Sequence, residues 1–145
     1  MIALLQRVQS ASVVVEENTV ASIGAGLLVY AALQQDDDAQ TLSRMAEKVL
    51  AYRLFDDGTG RMNQSVMDVR GEMLLVPQFT LAADTRKGLR ASFSKAAEPS
   101  RAAELFDRFS DNLKINCAKV QTGIFGTCMQ VHSVNDGPVT FWLEV

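Results

Sequence analysis

The side chains that do most enzymatic chemistry are scarce in this chain. Its 145 residues include one histidine, His132, and two cysteines, Cys117 and Cys128. One histidine excludes a multi-histidine metal site and leaves a single partner for any Ser-His or Cys-His pair. The cysteines stand 11 residues apart with no CxxC and no second pair, so a zinc finger or ribbon is excluded. His132 falls on the polar phase of an alternating stretch and has no local partner to make it a base. Neither cysteine sits at an expected helix N-terminus that would lower its pKa. A cysteine hydrolase pairing Cys128 with His132 stays open on these residues alone.

Two other places stand out. Thr80 follows a strand end with Gln78 and Phe79 and precedes a loop holding Arg86, Lys87, Arg90 and Lys95. Loops on a rigid sheet are where binding residues collect. A threonine hydroxyl without an adjacent base is a poor nucleophile, but it hydrogen-bonds without activation. The second place is Asn135-Asp136-Gly137-Pro138, a dense turn signal whose ordinary reading is a tight hairpin.

The elements that must position these residues follow from periodicity. Ala3 to Val8, Ala11 to Glu16 and Thr19 to Ile23 read as strands, and Leu27 to Leu33 as a buried one. Asp36-Asp37-Asp38 offers helix caps in a solvated loop. Leu42, Met45, Val49 and Tyr52 then mark one apolar helix face. Asp56 to Gly60 is a turn, and Glu72 to Thr80 a strongly apolar strand. Pro77 restricts that strand to an edge or an end there. Pro99 opens a second helix whose face is Ala102, Leu105, Phe106, Phe109 and Leu113. Thr127 to Val134 and Val139 to Val145 alternate as two half-buried strands. The sum is a mixed α/β (α+β) chain: a single domain over residues 1–145, with two β-sheets forming a barrel-like body and flanking helices.

Charge and targeting narrow the partners. Lys plus Arg is 14 and Asp plus Glu is 17, a net charge of −3. A polyanion partner would therefore need a local basic patch, and residues 86–95 are the candidate. The opening residues have no basic start, and Arg7 interrupts their apolar run, so they do not read as a signal peptide. No stretch reaches the roughly 18 apolar residues of a membrane span. The expected compartment is the cytoplasm, where two isolated thiols stay reduced.

Two motifs then carry a resemblance. Pro77-Gln78-Phe79-Thr80-Leu81-Ala82-Ala83-Asp84 resembles the SQFTL-type motif of the D-aminoacyl-tRNA deacylases. Asn135-Asp136-Gly137-Pro138-Val139-Thr140 matches their C-terminal NxGPVT motif in full. The N-terminal Met1 to Val8 and the Ser92-Phe93-Ser94-Lys95 stretch are similar too, so the resemblance runs end to end.

The resemblance implies an editing hydrolase that cleaves the ester between a D-amino acid and the 3′-terminal adenosine of tRNA. It also implies removal of glycine mischarged on alanine tRNA, with no metal and no cofactor. It implies a cytoplasmic homodimer in which Gly137-Pro138, as a Gly-cisPro element, enters the other subunit's pocket. There it rejects L-amino acids by clash, so selectivity comes from exclusion. Gln78, Phe79 and Thr80 would be the catalytic segment and Arg7 the brace of the Gly-Pro element. Ala102, Phe125 and Met129 would hold the terminal adenosine. The free 2′-hydroxyl of the terminal ribose would assist the attacking water. Two departures stand against the pattern: Pro77 where serine is usual, and Ala91 in place of the proline of an Arg-Pro-Ser-Phe run. Pro77 is shared with a related animal tRNA deacylase. The alternatives are therefore a related deacylase with altered chiral selectivity, or a non-catalytic RNA-binding module on the same scaffold.

Overall fold

A computed structural model describes residues 1–86 and 88–145. Lys87 of the expected basic patch lies outside the described residues.

The fold is organised by β1 (Ile2–Val15), which is one continuous strand rather than the two expected. Along one side it pairs antiparallel with β8 (Gln130–Glu144). Along the other, its first half pairs with β3 (Gly26–Ala32) and its second half with β2 (Asn18–Ile23). β3 then pairs in parallel with β6 (Glu72–Pro77), and β6 with β7 (Val120–Thr122). The two ends of this path meet: the Gln121 side chain donates to the Ser22 carbonyl at 2.7 Å and accepts the Ser22 N–H at 2.9 Å. The main sheet is therefore a nearly closed barrel. A separate hairpin, β4 (Phe55–Asp56) and β5 (Met62–Gln64), turns through Asp56 to Gly60 as expected.

β6 is buried on both faces, which explains its unbroken apolar run. Met73 and Leu75 pack toward the helices, and Leu74 and Val76 toward Val8, Val13 and Leu28 inside the barrel. Helices α1 (Ala39–Ala51) and α2 (Pro99–Asn116) cover the outer side. α1 buries Leu42, Met45 and Val49, and α2 buries Leu105, Phe106, Phe109 and Leu113. Pro99 opens α2, where a missing N–H costs nothing.

The acidic triplet is divided between two jobs. Asp38 caps α1 by accepting from the Thr41 N–H at 2.8 Å. Asp37 departs from the expected solvated loop. It is buried, with Oδ2 accepting the Gln34 N–H and Oδ1 2.6 Å from the Met1 amino group.

Two further expectations are corrected. β6 ends at Pro77, and Phe79–Ala82 form a 3-10 turn instead of continuing the strand to Thr80. Position 77 is the last residue paired with β3, while the pairing with β7 stops at Leu75, so no ladder partner loses the proline's N–H. Asn135 to Pro138 do not make a hairpin turn. Both flanking segments belong to β8 and both pair with β1. Gln6 faces Thr140 and Val8 faces Asn135, so four residues of β8, Asp136 to Val139, stand opposite Arg7 alone. This is an enlarged β-bulge, a device that throws a short segment out of the sheet.

Candidate functional site

The end of β6, the 3-10 turn, the start of α2 and the loop leading to β8 enclose a cavity of about 500 Å³. Gln78, Phe79, Ala102, Phe125 and Met129, widely separated in sequence, all line it. Its walls are mostly apolar, completed by Pro77, Pro99 and Val131. Its polar side chains are Gln78 and Thr127, and no titratable side chain lines it among the described residues. Gly123 shapes one wall by lacking a side chain: a Cβ there would lie 2.7 Å from Met129 Sδ. Phe106 of the core backs Phe125, with ring centroids 6.1 Å apart.

Thr80 stands beside the cavity and does not line it. Its hydroxyl accepts a hydrogen bond from Gln78 Nε2, which ties the turn together. Phe79 and Thr80 are the first two residues of the 3-10 turn, so their N–H groups have no acceptor within it. The Gln78 N–H, by contrast, donates to the Ala31 carbonyl and is used by the sheet. Phe79 is half exposed and leans on Phe93, at a centroid distance of 5.0 Å.

Gly137, Pro138 and Arg7 come together elsewhere. Gly137 and Pro138 are exposed in the bulge of β8, joined by a cis peptide bond. Asp136 and Val131 are five positions apart on β8, roughly 16 Å along a strand. The bulge and the cavity share no lining residue. Arg7 Nε donates to the Asp136 carbonyl at 3.2 Å, and Nη1 donates to the Leu54 carbonyl at 2.8 Å. The sequence pointed to Arg7 but not to Leu54, because a backbone acceptor leaves no mark in residue type.

The remaining candidates divide as follows. His132 is exposed on β8 opposite Ser12, and Cys128 is exposed in the loop before β8 rather than on the strand. No hydrogen bond joins them among the described residues. Cys117 is buried at the end of α2. Among the described residues no three His, Cys, Asp or Glu side chains gather as a metal site. Asp84 and Ser92 pair across an isolated antiparallel bridge. Arg86 is committed to Asp84, whose carboxyl its hydrogen bonds hold well below the usual carboxylate range. Arg90 and Lys95 are exposed.

Comparison with known proteins gives a consistent result. The family described as D-Tyr-tRNA(Tyr) deacylase matches residues 4–144. A D-aminoacyl-tRNA deacylase of Escherichia coli O1:K1 / APEC is 53% identical over 145 residues, covering all of both chains. The relative of the same name from Shigella boydii serotype 18 is also 53% identical over the full length. Among solved structures, the c-Myc DNA Unwinding Element Binding Protein superposes with a TM-score of 0.95. It is 36% identical and covers 100% of this chain and 99% of its own. A probable eukaryotic D-amino acid tRNA deacylase superposes with a TM-score of 0.86 at 19% identity, covering 99% of this chain and 98% of its own, which supports the fold.

Proposed function

The chain belongs to the D-Tyr-tRNA(Tyr) deacylase family, and we propose that it is an editing hydrolase releasing free tRNA and amino acid from D-aminoacyl-tRNA and from glycine mischarged on alanine tRNA. The observation that carries the reading is a family match from end to end around a cavity whose lining, among the described residues, offers no acid, base or thiol.

An aminoacyl ester is activated already, so its hydrolysis asks for positioning and charge stabilisation more than for a strong base. The apolar wall of Ala102, Phe125 and Met129 suits the face of an adenine ring. The N–H groups of Phe79 and Thr80 are free to stabilise the oxyanion that forms when water attacks the carbonyl. One such donor contributes about 3–4 kcal/mol. Gln78 holds the Thr80 hydroxyl, so Thr80 serves to orient the turn. The attacking water then takes its assistance from the 2′-hydroxyl of the terminal ribose.

Chirality is read by a second copy of the chain. Gly137 and Pro138 are exposed and lie outside the cavity of their own subunit, which suits a role in a partner's pocket. β8 also leaves Val134 and Trp142 half exposed, as an interface strand would. Carbonyl groups presented there exclude any α-substituent on the L side and admit a hydrogen, so D-amino acids and glycine pass. The proposed assembly is a homodimer acting in the cytoplasm. No helix is long and apolar enough to cross a membrane among the described residues.

Deacylation of D-aminoacyl-, glycyl- and L-aminoacyl-tRNA by the purified protein tests the reading. Fast release of the D-amino acid and glycine with slow release of the L-amino acid is expected. Equal rates for D and L overturn the chiral reading, and failure on all three overturns the enzymatic one. Light scattering tests the dimer.

A further inference from the structure

The bulge of β8 faces a supply problem for its own backbone. Asp136 to Val139 stand opposite a single residue of β1, so their N–H and C=O groups lack the usual ladder partners. Arg7 serves the Asp136 carbonyl from outside the segment. The other brace comes from within. Asn135 Oδ1 accepts the Val139 N–H at 2.8 Å, and Nδ2 donates to Thr140 Oγ1 at 3.0 Å. One side-chain amide thus spans the segment from its first flank to its last residue, as Asn side chains do in short backbone turns. Thr140 Oγ1 also accepts from Gln6 Nε2 at 3.4 Å, which ties the brace to β1. Gln9 Nε2 reaches Asp136 Oδ1 at 3.4 Å on the near side.

We propose that Asn135 is a specificity-determining positioning residue: its amide fixes the height and direction of Gly137-Pro138 above the sheet, and so sets how strongly L-amino acids are excluded. It touches no substrate and acts only through the bulge. The proposal rests on Gly137-Pro138 being the chiral screen. A screen that works by clash tolerates little slack, because a carbonyl that retreats by a fraction of an ångström stops colliding. Arg7 alone leaves the C-terminal flank free to swing, since its contact is at Asp136 and the segment runs on to Val139. Asn135 closes that flank.

The test compares kcat/KM for D- and L-aminoacyl-tRNA in four full-length variants. A purely structural role lowers the folded fraction and both rates together, leaving their ratio unchanged. Asn135→Ala is expected to lower the D/L ratio by at least about tenfold, chiefly through faster L hydrolysis. Asn135→Asp keeps an acceptor for the Val139 N–H, and the Thr140 hydroxyl can turn to donate to it. It should restore the ratio to within about threefold of the parent. Asn135→Gln, the same amide one methylene longer, should lose the ratio, and it carries the test if the alanine variant does not fold. Gly137→Ala is the fourth variant. A D/L ratio unchanged in Asn135→Ala and Asn135→Gln but lost in Gly137→Ala overturns the role of Asn135 alone. A ratio unchanged in Gly137→Ala overturns the screen itself, and the role of Asn135 with it.

Discussion

Arg7 holds Asp136 twice: its Nε donates to the Asp136 carbonyl at 3.2 Å and lies 3.1 Å from the Asp136 carboxylate. The same guanidinium reaches the Leu54 carbonyl through Nη1 at 2.8 Å. A residue in the middle of β1 thereby links the bulge of β8 to the segment just before β4. Its side chain is largely buried, at 16% exposure, against 44% for Asp136. Removing it leaves two backbone carbonyls without their donor. Arg7→Ala should cost about 1–3 kcal/mol of stability, the usual penalty for stranded buried acceptors. It should also erode discrimination between D- and L-esters. Arg7→Lys cannot span both acceptors with a point charge and should behave closer to alanine than to arginine. Urea unfolding and paired D and L rates check both, and an unaltered D/L ratio counts against the brace.

Gly137 is closely confined. Its φ is +128°, a conformation that L side chains rarely adopt. A Cβ there would lie 2.8 Å from Val139 Cγ2 and 3.1 Å from Arg7 Nη2. Gly137→Ala should therefore strain the backbone by roughly 1–3 kcal/mol and push Arg7 aside. The expected readout is a lower melting temperature together with a smaller D/L ratio. A variant that melts lower but keeps its ratio would assign Gly137 to stability alone.

The helices and most strands were legible because burial writes itself as a period. The α2 face from Ala102 to Leu113 and the double-sided apolar run of β6 are read directly from spacing. The bulge was not. Asn, Asp, Gly and Pro in a row carry the composition of a hairpin turn, and composition does not record that Gln6 and Val8 pair on either side of the same four residues. The end of β6 was misplaced for a related reason, since Phe79 and Leu81 continue its apolar character into a 3-10 turn. Asp37 gave no sign of burial, because its partners are an amino group and a backbone N–H. The cavity was legible only through the family motif: nothing in Ala102, Phe125 or Met129 taken singly announces a wall.

Acid should loosen the β4–β5 hairpin through Asp57. Asp57 accepts from the Thr59 hydroxyl at 2.6 Å, the Thr59 N–H at 2.9 Å and Asn63 Nδ2 at 2.7 Å. These bonds, those of Thr59 first, lower its pKa from 3.8 to about 2. A depressed carboxylate stabilises the folded hairpin fully above its unfolded pKa, and that contribution is lost as pH falls through the folded one. The window therefore runs from about pH 4 down to about pH 2. Protection of the Thr59 and Asn63 amides, taken relative to their intrinsic exchange rates, should fall across it, and Asp57→Ala should remove that fall while leaving the core amides of β6 protected. Protection that is flat over this window would refute the assignment.

The absence of a titratable side chain from the cavity wall, among the described residues, makes the sharpest demand on the chemistry. Gln78 and Thr127 are the polar side chains of the cavity, and neither can take a proton from water near neutral pH. If the terminal ribose supplies the assisting hydroxyl, a substrate ending in 2′-deoxyadenosine should be hydrolysed more slowly by about 10²–10⁴-fold, the scale of a lost proton-transfer partner. Thr80→Ala should keep activity within about tenfold, because its hydroxyl serves Gln78 and the turn while its N–H survives the substitution. The two results must be taken together. Normal turnover of the deoxy substrate with collapse in Thr80→Ala would place the working hydroxyl on the protein. The opposite pattern places it on the RNA, and it explains how a chain with one histidine, exposed and away from the cavity, can hydrolyse an ester.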